Sequence, residues 1–458
     1  MRPIAAIRMP RRPRRRVLMG ASNSLPTMAI ERIVRSVLVG CLLAGMTLLG
    51  GCRSSGSDDN ALTFWTIGRE GEAIVKLLPA FERAHPHITV KVQQLPLTAA
   101  HQKLLTAFAG NSTPDLSQLG NTWLPELAAL DALEPLQARA DRSAVVQPDD
   151  YFASVWATNM IDGTLYGVPW YVDTRLLFYR RDLLEKAGFD APPHAWADWR
   201  RQLAALTDPP QHRYGILLPT NEYEQLLSLA LQQPEPLLRD GGRYGNFESA
   251  GFKRALAFYV DTFRQHQAPA ITNVEAGNPW TEFGRGVYAF YLSGPWNIGE
   301  FRSRLPATQQ DDWATAPLPG PDGAGIGIAG GSSLVIFRAS KHKDAAWQLI
   351  EYLSQPAVQQ QFYDLLGDMP PRRSSWEGGA LRDDPKAHAF RQQLEQAKPV
   401  PAVPEWERIA NEMQLVAAQA VACRLTIDQA AAEIDRRADA ILAKRRWVLE
   451  HAQAATTP

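Results

Sequence analysis

The chain has 458 residues, 45% of them hydrophobic and 21% charged, which is the balance of a folded protein and excludes a disordered one. Its 48 basic and 48 acidic side chains cancel, but unevenly: residues 1–51 hold nine of the arginines and only one of the glutamates. The remainder therefore has 39 basic and 47 acidic groups, a formal charge of −8, which argues against nucleic acid or an anionic lipid surface as partner.

Arg11 to Arg16 form a basic run with no apolar stretch directly behind it, and Met19 and Met28 are alternative starts, so residues 1–27 read as an uncertain gene start. Arg32 and Arg35 then precede an apolar run from Val37 to Leu49, closed by Leu48-Leu49-Gly50-Gly51-Cys52. A positive segment, about a dozen apolar residues and small residues before the cut are the parts of a secretory signal peptide. Ending on Leu-Gly-Gly-Cys, it resembles a bacterial lipobox, in which the cysteine thiol is acylated and becomes the new N-terminus. Residues 1–51 are thus read as the signal and residues 52–60 as a lipidated tether. The competing reading, a membrane span with an incidental cysteine, requires ~20 apolar residues, more than the run contains. The body is expected in the periplasm, held to a membrane through Cys52. Arg53 is not the aspartate that retains lipoproteins at the inner membrane, so the choice of membrane stays open. Cys41 lies in the signal, and the one remaining thiol, Cys423, allows no internal disulfide; among the alanines of 417–422 it reads as a small buried helix residue.

Along the body, Leu62-Thr63-Phe64-Trp65 is a short apolar strand. Ala73, Ile74, Leu77, Leu78 and Phe81 recur at helical spacing until His85-Pro86. Ile88, Val90 and Val92 alternate as a strand, a helix through Leu104, Leu105 and Phe108 ends near Gly110, and Pro114-Asp115-Leu116 opens another strand. Strand–helix–strand at this spacing means a parallel α/β lobe with right-handed crossovers, in which ligands bind beyond the carboxyl ends of the strands. Those ends are Thr66 to Glu72, Gln93-Gln94 and Gly120 to Trp123. Long helices are expected at Trp199–Leu206, Glu248–Gln265, Asp344–Leu366 and Glu405–Trp447, giving a second α/β lobe.

Four segments carry a family likeness: YGVPWYVDTRLLFYRRDLLEKAG (Tyr166 to Gly188), PDLSQLGNTWLPELAALDALEPL (Pro114 to Leu136), FGRGVYAFYLSGPWNIGEF (Phe283 to Phe301) and GGSSLVIFRASKHKDAAWQLIEYLSQPAVQQQFY (Gly330 to Tyr363), the last closed by MPPRRS. In this order, behind a lipobox, they resemble family 1 extracellular solute-binding proteins of ABC sugar importers, and within them the maltose, maltodextrin and trehalose receptors. Where that family often has an aspartate after the third strand, this chain has Gly120 and Asn121. The resemblance implies an α/β, two-lobed periplasmic-binding-protein fold (type II), each lobe a mainly parallel sheet flanked by helices, with the ligand cleft between the lobes. Residues 61–170 and 326–370 would form lobe I, and residues 171–325 and 371–458 lobe II. Crossings fall near Tyr171–Arg175, Ile326 and Pro370, and Pro169 and Pro370-Pro371 are natural helix boundaries.

A sugar site needs flat apolar faces for C–H patches and charged or amide groups for hydroxyls. The resemblance assigns Trp296, after Gly294-Pro295, to a stacking position; Trp280 and Tyr171 are further candidates, with core packing as the alternative for each. Trp347 reads as packing, and Trp123 and Trp406 are intermediate. Glu70 takes the place of a hydroxyl-binding acid, against the plain reading of a solvated acid at a helix start. Asp173 lies in the crossover, and Arg372 fills the arginine slot of the Pro-Pro-Arg turn unless it only pairs with an acid between the lobes. Asn121 and Gln94 offer amides, and Gly330-Gly331 either let backbone approach the ligand or make a tight turn.

No nucleophile elbow, phosphate loop or metal-spaced histidine set stands in the sequence, and His85, His87 and His101 read as surface or cap residues. No cofactor, no metal and no catalytic residue is assigned. The expectation is a monomeric lipoprotein that captures a di- or oligosaccharide, closes on it and presents it to a membrane permease with its ATPase. A surface glycoside hydrolase, with Glu70 and Asp173 as its carboxylate pair, is the alternative, and an adhesive lipoprotein without a cleft is the third.

Overall fold

The computed structural model describes residues 61–456; the signal, Cys52 and the tether lie outside the described residues. In chain order the elements that frame the site are β1 (Ala61–Ile67), α1 (Glu70–Ala84), β2 (Thr89–Leu95), α2 (Leu97–Ala109), β3 (Leu116–Gly120), β4 (Val168–Asp173), β5 (Leu176–Arg180) and α3 (Trp196–Ala205). They continue with β6 (Tyr214–Leu217), α4 (Tyr223–Ala230), α5 (Ala250–Arg264), β7 (Tyr288–Ser293), α6 (Asn297–Arg304), β8 (Trp313–Ala316) and β9 (Gly330–Ile336). Helices α7 (Lys343–Leu353), α8 (Pro356–Leu366), α9 (Pro385–Glu395), α10 (Trp406–Val421) and α11 (Ile427–Thr456) complete them.

The two larger sheets among the described residues are ordered β2-β1-β3-β9-β4 and β8-β5-β7-β6; two further sheets are two-stranded. The β1–β2 and β1–β3 pairs are parallel, as the strand–helix–strand pattern requires. The sheets are nevertheless mixed and not mainly parallel. Strand β9 runs antiparallel to β3 and β4, and in the second sheet only β7–β6 is parallel while β7–β5 and β8–β5 are antiparallel. The two strands that run against their neighbours are those that enter from the other sheet: β9 comes from β8 of the second sheet, and β5 from β4 of the first through Thr174 and Arg175, so neither follows a strand–helix–strand crossover within its own sheet.

Side-chain alternation builds the layers. On β5, Leu177 and Tyr179 join a core with Trp199, Phe258, Trp406 and Met413, while Leu176 and Phe178 face a second core with Phe301, Trp313, Trp376 and Phe390. Both faces of that strand are covered, so all five of its residues are buried. On β9, Leu334 and Ile336 pack with Phe64, Ile74, Trp347 and Phe362, whereas Val335 and Phe337 pack with Leu104, Leu119 and Leu133. Helices α7 and α8 thus cover the first sheet, and α10 covers the second. The chain passes between the sheets after β4, before β9, and between α8 and Trp376. At the crossings the Val172 N–H donates to the Met369 carbonyl at 2.8 Å, and Ala329 N–H to that of Lys398 at 2.8 Å.

Two expected long helices are each two. Pro356 starts α8 at its first turn, where the missing N–H costs nothing, and so ends α7. Cys423 follows α10 with φ 58°, left-handed backbone that stops the helix, and it is exposed. It is therefore not the small buried helix residue expected from its alanine-rich surroundings.

Candidate functional site

The carboxyl end of β3 and the β4 crossover face helices of the second sheet across a cavity of about 280 Å³. One wall is Gly120, Asn121, Thr122 and Trp123, continued by Gly330 and Gly331 at the start of β9. The other is Tyr223, Glu224 and Leu227 of α4 with Glu407 of α10, and Asp173, Thr174 and Arg175 close the end. A roomier hollow of about 510 Å³ lies beyond Val400, walled by Pro234, Pro236, Pro399 and Pro401. None of the residues singled out in the sequence borders it, so the smaller cavity is the candidate site.

Four of the sequence candidates line this cavity: Asn121, Asp173, Gly330 and Gly331. The Asn121 amide donates to the Ala329 carbonyl at 3.0 Å, which fixes its plane. Gly331 has φ 129°, and a Cβ there would run into the Tyr171 carbonyl. The glycine pair is thus a close approach of two strands, where the β9–β4 register shifts between Ser332 and Ser333.

Glu70 and Tyr171 meet in a half-buried cluster beside it. The Tyr171 hydroxyl donates to Glu70 Oε1 at 2.6 Å, and Gln118 Nε2 reaches Tyr171 Oη at 3.0 Å and Glu70 Oε1 at 3.4 Å. Burial first, and the Glu70 charge second, push the Tyr171 phenol well above its usual pKa, so it remains a donor. Asp368, two residues past α8, completes the group: burial and then Glu70 and Asp173 push its carboxyl up to about 8, partly opposed by Arg69. At neutral pH it is an acid that can donate. The Gln94 amide is spent on the Gly68 carbonyl.

Arg175 ties the far wall together. Its Nη1 donates to Asp173 Oδ1 and Oδ2 at 2.8 and 2.7 Å, and Nη2 lies 3.4 Å from Glu224 Oε1. Its guanidinium stands 4.9 Å from the Trp296 ring centre, which puts that ring one side chain away from the cavity. Burial pulls the guanidinium pKa down, but Asp173, Glu224 and Glu222 outweigh it and raise it above the ordinary arginine value. Burial raises the Glu224 carboxyl, with Arg175 opposing.

Two candidates have other partners. Arg372 is buried away from the cavity, with Nε donating to Asp150 Oδ2 at 2.6 Å and Nη1 to the Ser354 carbonyl at 2.5 Å, so the ion-pair alternative describes its surroundings. Trp280 is on a short helix, not a loop; its Nε1 donates to Asn297 Oδ1 at 2.6 Å, and Arg304 lies 4.4 Å over its ring. Trp347 and Trp406 are core residues. Of the histidines, His85 caps α1 and His101 lies 2.7 Å from Glu126.

Sequence reasoning passed over Arg175, Tyr223, Glu224 and Glu407. Arg175 carries a visible signal: a lone cation between a crossover and a fully apolar strand start must be paired when that strand is buried. The α4 and α10 residues carry none, because folding alone brings them opposite β3.

The profile of the bacterial extracellular solute-binding proteins matches residues 65–360. The chain belongs to that family. It is 55% identical to a solved sugar-binding protein MalE of the phytopathogen Xanthomonas citri, with a TM-score of 0.83 over 85% of this chain and 99% of that one. It is also similar to a mannitol-binding protein of Pseudomonas aeruginosa, 26% identical over 78% of this chain and 87% of that one. The solved GacH receptor of Streptomyces glaucescens, described with acarbose, shares 25% identity at a TM-score of 0.73, covering 84% of this chain and 98% of that one. Fold and family are those that the four sequence segments implied. Among the described residues, no helix is long and apolar enough to cross a membrane.

Proposed function

We propose that this solute-binding protein captures an uncharged di- or oligosaccharide, maltose, maltodextrin or trehalose, and hands it to an ABC permease with its ATPase. The observation that carries the reading is the charge state of the cleft. Its carboxylates and amides face the cavity, while the one cation that lines it among the described residues, Arg175, is already engaged by Asp173 and Glu224. Acceptors without a free cation suit sugar hydroxyls and disfavour a phosphodiester or sugar phosphate. The 55% identity to a MalE supports maltose.

In this reading Glu70, Gln94, Asn121, Tyr171, Asp173, Trp280, Trp296, Gly330, Gly331 and Arg372 remain the candidate contacts; Asn121 and Asp173 on the cavity wall and Trp296 one side chain away are best placed, whereas Gln94, Trp280 and Arg372 already hold partners elsewhere. The moving lobes are residues 61–170 with 326–370 and residues 171–325 with 371–458. The protein acts as a periplasmic monomer, lipid-anchored through Cys52, with no role for nucleic acid. Closure follows from a ligand binding the closed form better than the open one.

The test is a titration of intrinsic tryptophan fluorescence with maltose, maltotriose, trehalose and glucose, with thin-layer chromatography of the same mixtures. Saturable binding with the sugar recovered intact is the expected result. No response to any of them overturns the maltose–trehalose assignment, and released glucose turns the reading to a glycoside hydrolase.

A further inference from the structure

Arg175 joins three elements at the cleft: the β4 crossover through Asp173, α4 through Glu224, and the start of α6 through Trp296. The residue is 7% exposed although it borders the cavity, and its Nε has no hydrogen-bond partner. A buried cation persists only where its geometry is well satisfied. Here two carboxylates hold Nη1 and Nη2, and the guanidinium centre lies over the indole at 4.9 Å. On the other side, Gly294 gives the ring room: a Cβ at that position would collide with the six-membered ring of Trp296. Between a glycine that lets it fold back and a guanidinium centre 4.9 Å from its ring centre, the indole still keeps 37% of its surface open.

We propose that Arg175 is the positioning residue for the stacking ring: its guanidinium, fixed in plane by Asp173 and Glu224, sets the tilt of Trp296 and thereby the sugar face that the cleft accepts. This rests on the sugar-receptor reading and adds to it a residue that acts through another, since its carboxylate-facing edge is already occupied. A lysine would keep the charge near Asp173 but offer no plane to the indole, because an ammonium is a point charge on a flexible stem.

The experiment compares R175K, W296L and the double variant, with E224Q as a milder loosening of the guanidinium. R175K is expected to weaken sugar binding about tenfold, and the double variant to bind no more weakly than W296L alone, the signature of two residues acting as one unit. In the ligand-free protein the difference in tryptophan emission between R175K and the parent should vanish in the W296L background. Losses that multiply in the double variant, or emission that R175K leaves unchanged, overturn the proposal. If R175K does not fold, E224Q must show the same pattern in smaller measure, and unchanged affinity and emission there overturn it equally. A protein that binds no sugar sinks the receptor reading, and the ligand-free emission then decides the tilt by itself.

Discussion

Asp368 carries a stability signature of its own. Its folded pKa of about 8 lies above the ordinary 3.8, so between those values the folded protein holds a proton that the unfolded chain has released. Stability must then fall as pH rises from about 4 to about 8 and level off above, the reverse of a salt-bridged acid. Thermal melts from pH 5 to pH 9 should show this decline, and D368N should flatten it; an unchanged slope would remove Asp368 from the account. Asp150 behaves oppositely. Burial tends to raise its carboxyl, but hydrogen bonds from Ser374 and Arg372 hold it below the usual range, so its contribution is lost as pH falls through the folded value. Removing Arg372 leaves that half-buried acid without its cation. R372A is expected to cost about 3 kcal/mol in denaturant unfolding and to leave sugar affinity within twofold. A selective loss of affinity would return Arg372 to the binding site.

At the scale of the element, the start of β9 shows how backbone geometry places chemistry. Gly331 takes φ 129°, and the shift at Ser332/Ser333 re-aims the strand so that Ser332 Oγ meets Tyr171 Oη at 3.0 Å. Ser332 and Gln118 then cradle the Glu70–Tyr171 pair. G331A has to clear the Tyr171 carbonyl and leave its backbone region, and should lose about 2 kcal/mol of stability together with sugar affinity. Chemical unfolding and the fluorescence titration read the two effects separately. A G331A protein of parental stability would show that the strands can part at no cost. On the opposite wall α10 depends on packing, with Trp406, Ile409, Ala410 and Met413 all fully buried. W406A is expected to cost about 3–5 kcal/mol and to loosen the helix that presents Glu407.

The whole molecule is described with its two sheets bridged. The Thr122 hydroxyl, at the end of β3, donates to the Glu407 carboxylate of α10, and Arg69 reaches Glu300 of α6 at 3.9 Å. Tyr223 also points its hydroxyl at Glu407, 3.4 Å away. Contacts of this kind, part-exposed and few, are worth on the order of 1 kcal/mol each, enough to bias a closing equilibrium without fixing it. E407A should therefore raise the ligand-free radius of gyration in small-angle X-ray scattering, with saturating sugar restoring the compact value. Identical ligand-free scattering of parent and variant would show that the bridge does not hold the sheets together.

From sequence alone the α/β class, the family and the order of the segments were legible, because apolar periodicity and the crossover motif are local patterns. So was the position of Asp173 and Asn121 at strand ends, and both line the cavity. Strand direction was not, since β5 and β9 each enter their sheet from the other one, and no local pattern marks which sheet a strand joins. Nor could local pattern separate Arg372 and Trp280 from the cleft: their types suit a sugar site, and only tertiary packing supplied Asp150 and Asn297 as their partners. Glu224 and Glu407 lie more than 100 and 280 residues along the chain from the wall they face, Asn121 to Trp123. The sequence by itself determined which elements form and what kind of ligand chemistry they carry; which side chains share one cavity was decided by the folding of two sheets against each other, which no local spacing encodes.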